Sequence, residues 1–355
     1  MIPVFIASNR GYAGKTFMSL GLGLMLMAEG YKVGYMKPIG RMPIKKGRKV
    51  FDADAVFMKE ALSLTDPLNV ISPLVLSYET QSLMLEGKIL EAKKQVMEAF
   101  RAASKNKDFV IIEGAGDLFE GSALNIGALD LIPAMKARVL MIEPWSGDVS
   151  SDSLFGGMRL IGKNFAGAVI NKVPAGLHEQ VRDGVKPFAE KKGVKIFGVL
   201  KKDSLLESVT VRQLNEVLGG KVLCSAGRLD EFVENFSIGA MDVDSALNYF
   251  RKTPNKAVIT GAHRSDIQLA AMETSTKCII LTGGLYTNDV VIGRAESKGI
   301  PLISVADDTF GAISRIEAFV GKSGISGKGK AARAKEIIGE GFDMKRFLKA
   351  VALLR

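Results

Sequence analysis

Cysteine, histidine and tryptophan are nearly missing from this chain, which holds two Cys, two His and one Trp in 355 residues. The two thiols, Cys224 and Cys278, sit in apolar, strand-like stretches and read as buried and reduced, which argues against a disulfide framework. With only His178 and His263 as further soft ligands, a zinc site has no ligand set to draw on. Long apolar runs are missing too. The richest N-terminal stretch, residues 17–28, is broken by Gly21 and Gly23 and has no cleavage-type flank, so no membrane span or signal is expected and the expected location is cytoplasmic. Aromatics make up 7% and are not interleaved with the basic residues, so the net charge of +10 does not read as a nucleic-acid surface. Nine Lys or Arg face three acidic residues after position 320, in a Gly- and Lys-rich stretch (321–330) followed by a helical pattern, and they read as a solvated basic tail.

What the chain does contain is ordinary globular composition, 47% apolar and 24% charged, at a length that implies two or three domains. Over its first two hundred residues, short β-rich runs alternate with amphipathic helices. Strands are expected at 4–7, 32–35, 109–112, 138–142, 166–170 and 195–199, and helices at 17–29, 54–60, 87–104, 152–162 and 177–192. Such alternation implies a parallel sheet covered on both faces, with ligands beyond the C-terminal strand ends. A turn cluster at 201–204 closes this part. A smaller α/β unit follows, with strands at 221–224, 257–260, 278–281 and 302–305 and helices at 210–218, 229–235, 266–273 and 288–298. The expected division is 1–202, 203–320, and a basic linker with a C-terminal helix at 321–355.

Directly behind the first strand stands Arg10-Gly11-Tyr12-Ala13-Gly14-Lys15-Thr16. A glycine-rich turn feeding a helix offers backbone N–H groups and the positive end of the helix dipole to phosphate. Lys15 adds a mobile charge, and the Thr16 hydroxyl can ligate Mg²⁺. Asn9 occupies the first glycine position of the common loop, while Arg10 stands where a divergent form, K-G-G-x-G-K-T, carries a lysine. The loop predicts a nucleotide triphosphate with Mg²⁺. The metal's carboxylates should come from strand ends on the same side. Glu113 follows an expected strand and precedes Gly114-Ala115-Gly116. Asp54 opens a helix, where it is either an N-cap or a metal ligand. Lys37, ahead of Pro38, can reach a transferring phosphoryl or carboxylate group above the loop, or stand as a surface lysine. Elsewhere, Trp145 reads as a packing residue, Thr282-Gly283-Gly284 looks like an anion-binding turn, and Asp307-Asp308-Thr309 reads as a capped turn.

Together, Gly-Lys-Thr, Tyr35-Met36-Lys37-Pro38, Asp54-Ala55, Glu113-Gly114-Ala115-Gly116 and Asn171-Lys172-Val173 resemble the ordered motifs of dethiobiotin synthetase-like proteins across residues 1–200. That resemblance implies a parallel-sheet P-loop domain with Arg10, Gly11, Gly14 and Lys15 on the phosphates, Thr16, Asp54 and Glu113 around Mg²⁺, Lys37 near the transferring group, and Asn171 against the adenine edge. Leu205-Leu206, Thr210-Val211, Gly219-Gly220, residues 260–271, Thr282-Gly283-Gly284-Leu285 and Arg294-Ala295-Glu296 resemble a DRTGG domain, with His263-Arg264-Ser265-Asp266 where Asp-Arg is usual. This pairing is similar to the N-terminal half of long bacterial phosphotransacetylases. No acetyl-transferring domain is read after it, so acetyl transfer is not expected. Ser8-Asn9-Arg10-Gly11 differs from the biotin enzymes' loop, and neither cysteine lies in a glutaminase-type turn, which disfavours biotin synthesis and glutamine-dependent amidation. The expectation is an ATP- and Mg²⁺-binding regulatory protein with slow ATPase activity, or alternatively a ligase or kinase that activates a small carboxylate. Lys15 and Lys37 would carry any chemistry. A homo-oligomer and a protein partner at the DRTGG-like domain are the expected associations, with neither nucleic acid nor membrane.

Overall fold

The computed structural model describes residues 1–47, 49–88, 91–147, 149–284, 287–320 and 328–352. The chain divides into two compact units, one formed by Met1–Lys202 with Gly324–Arg355 and the other by Asp203–Ser323.

The first unit is built on a six-stranded sheet in the order Ile196–Lys201, Phe165–Val173, Arg138–Pro144, Ile2–Ala7, Phe109–Glu113, Val33–Met36. All of its pairings are parallel. Val33–Met36 and Phe109–Glu113 are buried at every position, as strands covered by helices on both faces must be. From the central strand Ile2–Ala7 the chain runs first to one edge and later to the other, so the turn at residues 8–14 opens at the reversal of strand order. That is where open α/β sheets bind ligands. The following helix, Lys15–Ala28, is buried around most of its circumference. Between Val33–Met36 and Phe109–Glu113 lies an elaboration that the sequence pattern did not announce. It comprises a parallel pair, Ile39–Gly40 with Leu74–Val75, and an antiparallel hairpin, Pro43–Lys46 with Lys49–Asp52.

Two expectations for this unit need correction. Asp54 does not cap its helix: Asp52 is the N-cap of Ala53–Ala61 and accepts the Ala55 amide at 3.0 Å, which leaves Asp54 inside the first turn. The basic C-terminal segment is not a solvated tail. Its helices Lys328–Gly341 and Met344–Ala352 bury Ala334, Ile337, Ile338, Phe347, Ala350 and Val351 at helical spacing, while Lys335, Lys345 and Lys349 face outward. The first of these helices crosses Lys15–Ala28 so closely that a Cβ on Gly21 would collide with Ile338 Cδ1. Phe197, Phe342 and Phe347 form an aromatic cluster with centroids 5.4–6.1 Å apart. Charge composition hid an apolar stripe of ordinary width. Residues 321–327 of the expected linker lie outside the described residues.

The second unit has a five-stranded sheet ordered Lys221–Cys224, Leu302–Ser304, Thr276–Thr282, Lys256–Gly261, Asn235–Ile238. Its last four strands are parallel and Lys221–Cys224 is an antiparallel edge. Thr210 and Gln213 form a reciprocal capping box at the start of Val211–Leu218. The helix expected at 229–235 is instead two strands, Phe232–Val233 and Asn235–Ile238. The expected helix brought no cap of its own; Phe232 and Val233 pair antiparallel with Thr210 and Val209, and Asn235–Ile238 extends the larger sheet beside Lys256–Gly261, so strand pairing overrides local propensity. The thiol of Cys278 is buried in this core and pushed up to about 12 by desolvation; both cysteines are free.

Candidate functional site

Gly14 ends the loop behind the central strand in a left-handed conformation, φ 96°, and a Cβ there would collide with Asn171 Nδ2. Asn171, from the end of Phe165–Val173, donates to the Ala13 carbonyl at 2.9 Å, so it braces the loop from the neighbouring strand. Lys15 opens the helix with 7% exposure. Its Nζ donates to Ser8 Oγ at 2.8 Å and to the Gly116 carbonyl at 2.7 Å. Burial pulls its ammonium down to about 8; Glu113 opposes that shift, while the charges of Lys37 and Arg41 add to it.

A second knot of charge lies beside the first. Thr16 donates to Glu113 Oε1 at 2.7 Å and the Tyr35 hydroxyl to Glu113 Oε2 at 2.8 Å. Lys37 is 4% exposed and its ammonium touches Asp54, with Asp52 at 3.5 Å and Glu113 at 3.6 Å. Burial alone would lower the Lys37 pKa, but Asp54, Glu113 and Asp52 outweigh it and hold the ammonium charged well above its ordinary range. Glu113 is raised by its own burial and by Asp54, against the pull of Lys37, and Tyr35 is raised by burial and by Glu113. The structure therefore brings Lys15, Thr16, Lys37, Asp54 and Glu113 together at one mouth, with Asn171 behind the loop.

Arg10 points elsewhere. It is 3.3 Å from Glu143 Oε1, and Glu143 is fully buried with Oε2 unpartnered. Burial lifts that carboxyl to about 7 although Arg10 opposes it.

Ser8, Tyr35, Arg41, Asp52 and Glu120 belong to this neighbourhood and escaped the motif reading. Tyr35 shares a strand face with Lys37 at a spacing of two, a signal that was readable. Asp52 stands two residues before Asp54. Arg41 and Glu120 pair at 2.9 Å, and nothing in their local sequence marks them.

The donor set matches Mg²⁺ in kind, a hydroxyl and carboxylates being the hard oxygens that ion takes. Thr16, Asp54 and Glu113 could hold it in exchange for part of their contact with one another and with Lys37. Among the described residues no three or more His, Cys, Asp or Glu form a metal-holding group by themselves, so a phosphate oxygen or water would complete the shell.

At the corresponding end of the second unit's sheet, the described turn amides are satisfied from within the unit. The amides of Gly283 and Gly284, expected to form an anion nest, donate to the Asp307 and Val305 carbonyls at 2.8 and 2.9 Å. Leu285 of that motif lies outside the described residues. Asp308 accepts the Gly311 amide at 2.7 Å, which caps the turn before Thr309–Val320, and Arg264 pairs with Asp266 at 2.9 Å.

A Gly-Lys-Thr turn at the reversal point of a parallel sheet, backed by buried lysines and acids, defines a P-loop α/β domain. The chain belongs to the AAA domain family, which matches residues 3–210, and a DRTGG domain follows at 213–319. It is similar to the phosphate acetyltransferase of Pseudomonas aeruginosa, 22% identical over 372 residues that take in 97% of this chain and 51% of that protein. The phosphate acetyltransferase of Synechocystis sp. is 23% identical over 336 residues, covering 88% of this chain and 46% of that protein. The chain spans about half the length of these curated relatives and corresponds to their N-terminal half. Among solved structures, the MinD cell division protein of Aquifex aeolicus is 15% identical with a TM-score of 0.34, covering 58% of this chain and 84% of that one. The pairing of a P-loop domain with a DRTGG domain, read from the motifs, is borne out. No helix among the described residues is long and apolar enough to cross a membrane.

Proposed function

We propose that the first unit binds ATP with Mg²⁺ as a regulatory nucleotide, with slow hydrolysis, and that its occupancy is read out through the DRTGG domain. The observation that supports this most is the burial of Lys15 and Lys37 beside Glu113, Asp54 and Thr16 at the turn after the central strand. In this reading Lys15 and the amides of 11–16 take the phosphates, Thr16 with Glu113 and Asp54 takes the metal, and Asn171 keeps the loop in its binding shape. The bound metal would neutralise phosphate charge. Before the metal binds, Asp54, Glu113 and Asp52 hold Lys37 as the charged ammonium.

Titration calorimetry with ATP and Mg²⁺ tests it. Binding is expected in the intact chain and loss of at least about tenfold in affinity in Lys15→Ala, in keeping with one charged phosphate contact. Saturation at about 100 Kd should also stabilise the fold by about 2.7 kcal/mol, read as a rise in melting temperature. No affinity in the intact chain, or an unchanged Lys15→Ala, overturns the reading.

A second reading is supported by Lys37 alone, a buried ammonium beside Asp54 and Glu113 that would steady a transferring group if one passes there. A small carboxylate would attack the terminal phosphorus, the bond to the bridging oxygen would break, and ADP would leave with an acyl phosphate formed. ADP release stimulated by one small acid in a metabolite screen supports it; a flat screen removes it.

A further inference from the structure

Arg41 stands just past the short strand Ile39–Gly40, on the stretch that follows Lys37 and Pro38. Its guanidinium carbon is 5.9 Å from the centre of the Tyr12 ring, within the phosphate loop itself. A Cβ added to Gly11 would come within 3.8 Å of its Nη1, and one added to Gly116 within 2.6 Å. Gly116 is also the residue whose carbonyl receives Lys15 Nζ at 2.7 Å. Two cations from distant parts of the chain thus meet at one glycine.

Like charges gathered at a mouth raise the energy of the resting site unless an anion shares them. The resting partners here are weak substitutes. Lys15 hydrogen-bonds the neutral Ser8 hydroxyl and a carbonyl, with Glu113 acting on it only through space, while Arg41 has Glu120, 2.9 Å from Nε. Glu120 is itself divided, since its other oxygen accepts the Gly116 amide at 2.5 Å. The Arg41 side chain is over one third exposed, so it can turn from this pair without unpacking a core. A planar guanidinium matches two phosphate oxygens at once, which a carboxylate on one Nε does not exhaust. The loop amides take the α- and β-phosphates and Lys15 one side of the β- and γ-phosphates, so the oxygens left for Arg41 belong to the outermost phosphate.

We propose that Arg41 is a further anion-binding residue of this site, exchanging Glu120 for the terminal phosphate of a bound nucleoside triphosphate, and that it makes the site prefer triphosphate to diphosphate. This rests on the nucleotide reading above.

Calorimetry with Mg²⁺ and two probes, a non-hydrolysable ATP analogue and ADP, tests it on the whole chain. Arg41→Ala should lose at least about tenfold in affinity for the analogue and stay within about twofold for ADP. Arg41→Lys should recover only part of the loss, because a point charge lacks the fork. Glu120→Gln should tighten the analogue, since it weakens the competing acceptor. Lys15→Ala serves as the contrast and should weaken both probes. Equal losses for analogue and ADP in Arg41→Ala, or none, overturn the proposal and leave the nucleotide reading standing. An intact chain that binds neither probe overturns both. Unliganded melting curves identify a misfolded Arg41→Ala, and in that case a Glu120→Gln that does not tighten the analogue overturns the proposal independently.

Discussion

Both units present the C-terminal ends of parallel strands, yet they treat polar groups there in opposite ways. The first gathers Lys15, Lys37 and Arg41 with Asp52, Asp54, Glu113 and Glu120 around one turn and buries most of them. The second uses up its turn amides on its own carbonyls and pairs Arg264 with Asp266, and Asp307 with Arg315, near the surface. A buried, mutually dependent charge cluster costs free energy that a merely structural turn has no reason to incur, and among the described residues the first end carries such a cluster while the turn amides of the second are already spent.

Deleting a charge should separate the two ends most sharply. Lys37→Ala leaves Asp52, Asp54 and Glu113 uncompensated in the interior and is expected to cost about 3–5 kcal/mol in denaturant unfolding. Arg264→Ala, in the second unit, should move the midpoint much less, since the exposed Asp266 stays hydrated and only the donor to the Met241 carbonyl is lost. Comparable losses would erase the distinction.

Glycines give the next contrast. Gly14 and Gly283 have φ of 96° and 93°. An alanine at Gly283 meets open space and should cost about 1 kcal/mol of backbone strain. At Gly14 it also displaces Asn171, so a larger loss of stability is expected together with a loss of ATP affinity, measured by melting and calorimetry.

Two depressed lysines extend the comparison to pH. Lys15 and Lys256 both titrate near 8, each through burial. A lowered folded-state value means the unfolded chain holds more protons between about 8 and 10.5, so stability should rise with pH across that window through both residues. Only Lys15 should couple to ligand. ATP binding at pH 8 is expected to take up roughly half a proton, visible as a dependence of binding enthalpy on buffer, and that uptake should survive Lys256→Met. The smallest effect is at Glu143. Its carboxyl is raised from 4.5 to about 7, so stability falls as pH rises between those values and the slope should flatten in Glu143→Gln.

How much of this was legible depended on whether a feature is local. Gly-Lys-Thr behind an apolar run carries its own context, as do Lys37-Pro38 and Glu113 at a strand end. Strand and helix alternation gave the α/β class and the parallel sheet. Residues that matter through tertiary approach had no such marker: Arg41 reaches Gly116 across 75 positions, and Ser8 gains meaning only when Lys15 turns back to it. The hairpin of Pro43–Lys46 and Lys49–Asp52 carries Lys45, Lys46 and Lys49, which mask any alternation of apolar residues. The anion nest failed because the amides of Gly283 and Gly284 find their acceptors on Asp307 and Val305, just past a later strand.

The closing helices at Lys328–Gly341 and Met344–Ala352 also set an order of events. The first unit's sheet is complete in sequence by Lys201, but the groove at Gly21 and the ring of Phe197 wait for residues 334–347, and the whole second unit is synthesised in between. The apolar seam of the first unit therefore stays open until the chain beyond Asp203–Ser323 has been made, so the first unit cannot close as a consecutive stretch of sequence.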